Sequence, residues 1–214
     1  MHDCFTRNYV VSRHPLIADK LTRMRDVSTS PRIFRELVKN ITALLVYEAT
    51  EKISIRHKNI ETPLSNIEGS EIKESIAIVP ILRAGLVMSD VTSSFFPESP
   101  IIHIGLQRDE ETLEAKQYFS AQLPKPAGTT CLLLDPMVAT GGTASTACDI
   151  VKNWGVPKIK IIGIIGAPEG LERLRENHSD VEIHLAAVDS HLDGNGYIVP
   201  GLGDAGDRLF STGL

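Results

Sequence analysis

The chain is poor in the features that usually betray a class. Its 214 residues hold only three cysteines, Cys4, Cys131 and Cys148. The number is odd and the spacing suits no metal site; Cys131 and Cys148 sit in apolar settings and read as small buried thiols. No apolar run is long enough for a membrane span and no secretory leader pattern opens the sequence, so the expectation is a cytoplasmic protein with no membrane partner. Excess base is missing too: 22 Lys+Arg face 27 Asp+Glu, a formal net charge of −5. Binding to a phosphate backbone wants clustered positive charge, so a broad nucleic-acid surface is excluded and any anionic ligand must be met by local positive groups. Repeats and low-complexity linkers are absent, and the length suits one α/β domain, 1–214, with a full core. There is no Gly-Lys-Ser/Thr after a glycine loop, which excludes a P-loop kinase. No Cys–His or Ser–His pair stands out, so no covalent nucleophile is expected; His103, His178, His184 and His191 read as structural or solvated.

What is present is concentrated in one stretch. Residues 131–134, Cys-Leu-Leu-Leu, form an apolar strand, Asp135 follows, and Pro136-Met137-Val138-Ala139-Thr140-Gly141-Gly142-Thr143 opens a helix. Thr-Gly-Gly alone recurs by chance in roughly one chain of this length in twenty, and an acid five residues earlier behind four apolar residues cuts that by a factor on the order of a hundred. Such a loop turns successive backbone N–H groups toward one point, where the helix dipole adds positive potential. A phosphate fits there, and Asp135 at the strand end would face the sugar carrying it. The plainer account is an ordinary strand-turn-helix corner with a solvated aspartate.

The surrounding pattern gives this loop a setting. Residues 15–60 look helical, with Phe34, Leu37, Val38, Ile41, Leu44 and Leu45 at helical intervals and Ser30-Pro31 as N-cap and first turn. Apolar, β-rich runs follow at 75–82, 100–106, 130–134, 158–165 and 181–188, with helical patterns at 143–154 and 168–177. Alternation of this kind predicts βαβ units: an α/β fold with a parallel central sheet flanked by helices on both faces. Ligands of such sheets bind beyond the carboxyl ends of the strands. A second strand end, 76–82, runs into Arg83-Ala84-Gly85, where Arg83 offers a planar fork to phosphate oxygens; taken alone, a surface arginine is the simpler account. A third is followed by Gln107-Arg108 and an acidic run, 109–111, beginning a long excursion that reads as a flap over a site. Near the C-terminus, Gly201-x-Gly203-x-x-Gly206 mimics a dinucleotide fingerprint. Only eight residues follow Gly206, so no ribose-binding βα unit fits downstream, and Pro200 makes a regular strand before it awkward. The segment reads instead as a bent loop offering bare backbone to the edge of a small planar base, with Asp204 adding a carboxylate near a sugar or a metal.

At this point the residues resemble a known family, the uracil phosphoribosyltransferases, over nearly the whole chain. The resemblance is carried by His14-Pro15-Leu16-Ile17 with Lys20-Leu21-Thr22, Tyr47-Glu48-Ala49-Thr50, Val79 through Leu86, His103-Ile104-Gly105, Arg108 through Thr112, Asp135–Gly142 and Gly196–Arg208. It implies a type I phosphoribosyltransferase fold with an N-terminal helical segment at 1–60, a flexible flap and a base-binding hood at 190–214. The implied reaction joins uracil to the phosphoribosyl group of 5-phosphoribosyl-1-pyrophosphate (PRPP), giving UMP and pyrophosphate with Mg²⁺ as cofactor. By motif, Arg83 and Arg108 would bind the pyrophosphate side of PRPP, Asp135 through Thr143 the ribose and 5′-phosphate, and Tyr197, Ile198, Gly203, Asp204 and Ala205 the uracil. Asp204, Arg108 and Asp135 are the implied catalytic set, with Asp204 also serving PRPP or its metal. The family further suggests a homodimer or higher homo-oligomer and, in some relatives, GTP binding. Departures from the usual pattern fall at Gln107, Ala115, Asp193, Ser211 and Glu51-Lys52; they touch the flap more than the chemistry. A transferase for another base, a catalytically silent nucleotide sensor acting on RNA, and a sheet protein whose loops are mere corners are the competing readings.

Overall fold

The computed structural model describes residues 9–108, 115–125 and 127–212, the side chains of Arg108 and Ala115 apart. Strand β1 (Tyr9–Val11) leads into two helices, α1 (Pro15–Arg25) and α2 (Pro31–Ala49). Ser30 caps α2 as expected, its hydroxyl accepting from the Ile33 N–H, with Pro31 in the first turn. Phe34, Leu37, Val38, Ile41 and Leu45 are buried, each worth roughly 1.5–3 kcal/mol on leaving water, and Leu44 packs at their margin.

Helical structure then stops at Thr50, not at residue 60. Strands β2 (Ile55–Glu61) and β3 (Asn66–Ile72) pair antiparallel as a hairpin of their own. Pro63 and the Thr62 hydroxyl, which accepts from the N–H groups of Leu64 and Ser65, make the turn. Cross-strand partners Ile55 with Ile72 and Ile60 with Ile67 are matched by register, and Arg56 and Lys58 both reach Glu71 at 2.6 Å. The helical expectation for 50–60 failed because every residue of β2 is exposed: no buried face stamps an alternating pattern on the sequence.

The main sheet runs in the order β1, β10 (Glu182–Val188), β9 (Lys158–Gly166), β7 (Thr129–Leu134), β4 (Ser75–Leu82), β5 (Ile104–Arg108) and β6 (Ala115–Ser120), with β8 (Met137–Val138) added beside β9. All pairings are parallel except β5 with β6. The β6 return strand was not foreseen. It takes up part of the excursion after Arg108, of which residues 109–114 and 126 lie outside the described residues.

Strand side chains divide by period two, as the pleat requires. Ile76, Ile78, Leu132, Leu134, Ile162 and Ile164 join α1, α2 and α3 (Leu86–Phe95) in one core. Ala77, Val79, Ile81, Cys131, Leu133, Ile159 and Ile161 join α4 (Gly142–Asn153) and α5 (Pro168–Asn177) in the other. Covering both faces explains the continuous apolar runs of the strands. The two described cysteines are buried, and loss of hydration drives both thiols well above their ordinary range, Cys148 to about 12.

Candidate active site

Two βα junctions of the sheet, the β5–β6 pair and the C-terminal segment converge at the carboxyl ends of the strands. Asp135 leaves β7 half-buried, and desolvation pushes its carboxyl up to about 7, opposed by the Met137 N–H, which donates to it at 3.4 Å. A carboxylate held this way rewards a cationic or hydroxyl-bearing ligand that restores its lost solvation. The loop beyond it is fixed by backbone contact. Gly141 adopts φ of +74°, and a Cβ there would stand 2.6 Å from the Gly170 carbonyl. Gly170 in turn lies under Ala139, whose carbonyl oxygen would be 2.2 Å from a Cβ on it. The loop and α5 therefore approach as closely as bare backbone allows. Helix α4 starts with no side chain of Gly141 to cap it, and Gly142 donates only a long bond, 3.4 Å, to the Thr140 hydroxyl. Its first N–H groups retain capacity for an anion.

At the next junction, Arg83 follows β4, and Gly85 lets the chain turn beneath it, since a Cβ there would be 2.3 Å from the Leu134 carbonyl. Beside it, the pairing of β5 with β6 shifts between Gly105 and Leu106, leaving Tyr118 without a register partner. The Tyr118 ring crosses bare Gly105, where a Cβ would come within 2.5 Å of it. A bulge of this kind re-aims a side chain, here onto the cavity wall.

The C-terminal segment closes over these junctions. Strands β11 (His191–Leu192) and β12 (Ile198–Val199) form a two-residue ladder, so a short strand does precede Pro200, with Gly194-Asn195-Gly196 turning between them. The dinucleotide-like glycines serve the bend: Gly201 and Gly203 have φ of +60° and +79°. Asp204 caps the short helix α6 (Ala205–Phe210), accepting from the Asp207 N–H at 2.8 Å. A Cβ on Gly206 would lie 3.2 Å from Asp204 Oδ1 and 4.0 Å from Arg83 Nη2. The central sheet and the C-terminal loop thus meet at an arginine and an aspartate.

They enclose one cavity of about 960 Å³. Of the residues singled out in the sequence, Arg83, Asp135, Met137, Ala139, Thr143, Tyr197, Ile198, Asp204 and Ala205 line it. Pro136 and Val138 sit behind its wall: the Pro136 carbonyl accepts from Ile164 and Ile165, and Val138 is core. Thr140, Gly141, Gly142 and Gly203 shape the adjoining backbone without lining the cavity. The Arg108 backbone ends β5; its side chain lies outside the described residues. Tyr118, Gln107 and Gly194 through Gly196 line the cavity although the sequence reading gave them no ligand role. For Tyr118 no local signal exists, because its position depends on strand return; the Gly-Asn-Gly turn was a signal open to reading. His103, His178, His184 and His191 are all absent from the lining.

The family profile described as uracil phosphoribosyltransferase matches residues 11–212. The chain belongs to the uracil phosphoribosyltransferase family. A uracil phosphoribosyltransferase of Roseiflexus castenholzii is 50% identical over 203 residues, covering 95% of this chain and 98% of its own. One from Mycoplasma capricolum is 48% identical over 200 residues, covering 94% and 97%. A solved Aquifex aeolicus protein superposes with a TM-score of 0.91 at 40% identity, covering 95% of this chain and 98% of its own. An adenine phosphoribosyltransferase of Trypanosoma brucei, at 14% identity and a TM-score of 0.57, shares the fold, covering 87% and 86%. The type I phosphoribosyltransferase architecture, a mostly parallel sheet between helices, is therefore this chain's own.

Proposed function

We propose that this family member transfers the phosphoribosyl group of PRPP to N1 of uracil, releasing UMP and pyrophosphate. The observation that carries the reading is the convergence of the Asp135–Thr143 loop and the Tyr197–Ala205 loop on one cavity, with Arg83 and Asp204 meeting between them.

The assignments carry the family motif onto these residues, and their charges support them. The N–H groups at the start of α4 receive the 5′-phosphate, and Asp135 accepts from the ribose hydroxyls. Arg83, with Arg108, takes the pyrophosphate side. Departure of pyrophosphate leaves an oxocarbenium-like sugar, as in glycoside cleavage. Carboxylates at Asp135 and Asp204 suit that cationic face, while the arginines hold the departing charge. N1 of uracil forms the new bond to C1 from the side opposite the broken C1–O bond, and its proton leaves to pyrophosphate or water. The closed-over loop orients the base and limits water, which would compete for the same carbon. Among the described residues no group of three His, Cys, Asp or Glu forms a metal cage. Asp204, which lines the cavity, would be the protein partner of a Mg²⁺ that keeps waters and is held chiefly by substrate oxygens. When bound, such an ion supplies charge neutralisation at the phosphates.

Three further parts belong to this reading. The chain is one domain with residues 190–214 as the hood. It works in the cytoplasm, consistent with two buried free thiols. It assembles as a homo-oligomer: the β2–β3 hairpin projects Ile55, Ile60, Leu64, Ile67 and Ile72 in exposed positions, and an isolated hairpin is marginal without a partner.

UMP formation from uracil and PRPP, with and without Mg²⁺, is the decisive assay, and activity is expected only with the metal. Cytosine places a donor where uracil has its O4 acceptor, so a Gly203 or Ala205 N–H facing that atom loses its partner, at about 1–3 kcal/mol per group. Cytosine should therefore be used at least about tenfold less well in kcat/KM; equal use of both bases would refute the loop assignment.

A further inference from the structure

The first bend of the hood is held at both ends of a single residue. Gly201 donates its N–H to Asp189 Oδ2 at 2.8 Å, and its carbonyl accepts from Arg25 Nη1 at 2.7 Å. Arg25 also grips Asp189 with two prongs, Nη1 to Oδ2 at 2.7 Å and Nη2 to Oδ1 at 2.6 Å. The guanidinium, the carboxylate and the Gly201 backbone close a ring in which each partner satisfies the other two. Asp189, just past β10, is 9% exposed, and Arg25 is the last residue of α1.

A second strut runs the other way. Arg208 of α6 donates to the Leu202 carbonyl at 2.8 Å and to the Asp26 carbonyl at 2.7 Å, its guanidinium lying 4.3 Å from the centre of the Phe34 ring. The end of α1 is thereby joined to the backbone of the two residues before Gly203. Neither Arg25 nor Asp189 lines the cavity.

We infer that Arg25 and Asp189 are a positioning pair for base recognition, fixing the Gly201 backbone so that the N–H groups from Gly203 to Ala205 face the pyrimidine. The inference rests on the assignment of this loop to uracil made above. Burial of Ile198, Leu202, Ala205 and Leu209 anchors the segment on either side of the bend, and Arg25, Asp189 and Arg208 hold its backbone. Its strands are two residues long, and a Cβ at Gly201 would stand 2.0 Å from the Ile198 carbonyl, so only glycine fits the turn. A bidentate guanidinium–carboxylate pair is both strong and directional, which a loop reading the edge of a flat base requires. Recognition by backbone N–H groups tolerates misplacement poorly: about 1 Å can cost on the order of a hundredfold. The 5′-phosphate loop takes its shape from Gly141 and Gly170 and does not depend on this pair.

Two conservative variants test the pair. Arg25→Lys keeps the charge, but one ammonium cannot span both carboxylate oxygens and a carbonyl in a single plane. Asp189→Asn keeps an acceptor for the Gly201 N–H and loses the ionic grip. Well below the melting temperature, each variant should raise KM for uracil about tenfold or more while KM for PRPP stays within about twofold. Amides at 198, 199 and 201–206 should exchange hydrogen faster than in the parent, with those at 137–143 unchanged. Equal rises in both KM values, or a lower melting temperature with neither KM moved, would reduce the pair to a structural pin. Unchanged exchange at 198, 199 and 201–206 would remove it altogether. If the parent enzyme makes no UMP from uracil and PRPP, the substrate assignment fails, while the exchange experiment still decides whether the pair holds the loop.

Discussion

The 5′-phosphate loop and the hood face each other across one cavity and are built on opposite principles. The loop after Asp135 is an extension of the innermost architecture. It leaves the fully buried strand β7, adds β8 to the sheet, and is pressed against α5 with only glycine between the two backbones. The hood has almost no sheet of its own and is hung from α1 by arginines and Asp189. The difference suits their ligands. A phosphate is a compact, strongly charged target that fixed N–H dipoles serve best, with no side chain to reorganise. A neutral base presents weak, directional edges, and a loop anchored by buried Ile198, Leu202 and Ala205 and tied by side chains can carry the needed backbone angles without a sheet to set them.

The largest effect should come where the two regions touch. Asp204→Asn preserves the cap on α6, because asparagine accepts from the Asp207 N–H as aspartate does. The charge facing the cationic sugar is lost, so kcat should fall by about 10²–10³ with the fold intact. Circular dichroism together with turnover checks this, and unchanged turnover would take Asp204 out of the chemistry.

A smaller effect separates the two regions. Gly170 lies on α5, outside the cavity lining, yet a Cβ there would be 2.2 Å from the Ala139 carbonyl and 2.9 Å from the Gly141 nitrogen. Gly170→Ala must push the phosphate loop without touching the hood. KM for PRPP should rise by at least about tenfold while KM for uracil holds. A parallel change in both constants would show that the two loops move as one body.

The smallest effect concerns Asp135. Burial raises its carboxyl to about 7 from an ordinary 3.8. The folded state therefore holds this proton more tightly than the unfolded chain does. The favourable contribution is complete below about pH 4 and is lost as pH rises through about 7. Above that, the ligand-free protein carries a poorly solvated charge. Asp135→Asn should then raise the melting temperature at pH 8 by a few degrees, about 1–2 kcal/mol allowing for partial exposure, and the gain should vanish near pH 4. Activity should fall in the same variant. A melting temperature unchanged at both pH values would show that the carboxylate is well solvated.

Legibility in the sequence followed locality. The phosphate loop could be read because its strand, acid, glycines and helix are contiguous. Strand β4 and helix α5 appeared at their observed bounds, since burial on one or both faces writes a period into the sequence. The β2–β3 hairpin escaped because nothing in β2 is buried. Tyr118 escaped because a bulge, set by pairing with β5, decides where its ring goes. Arg25 and Asp189 lie 164 positions apart, and no spacing rule connects an arginine at a helix end to an aspartate beyond a strand.

Chemistry that travels as a short motif was therefore determined by the sequence alone: the parallel α/β class, the acid-and-glycine loop, the glycine-bent C-terminal segment and the family they resemble. Only the tertiary structure decided that these segments share a cavity, which residues line it, and what holds the hood at its angle. Motifs encode local backbone geometry, whereas convergence and clamping arise from contacts between residues that only folding brings within hydrogen-bonding reach.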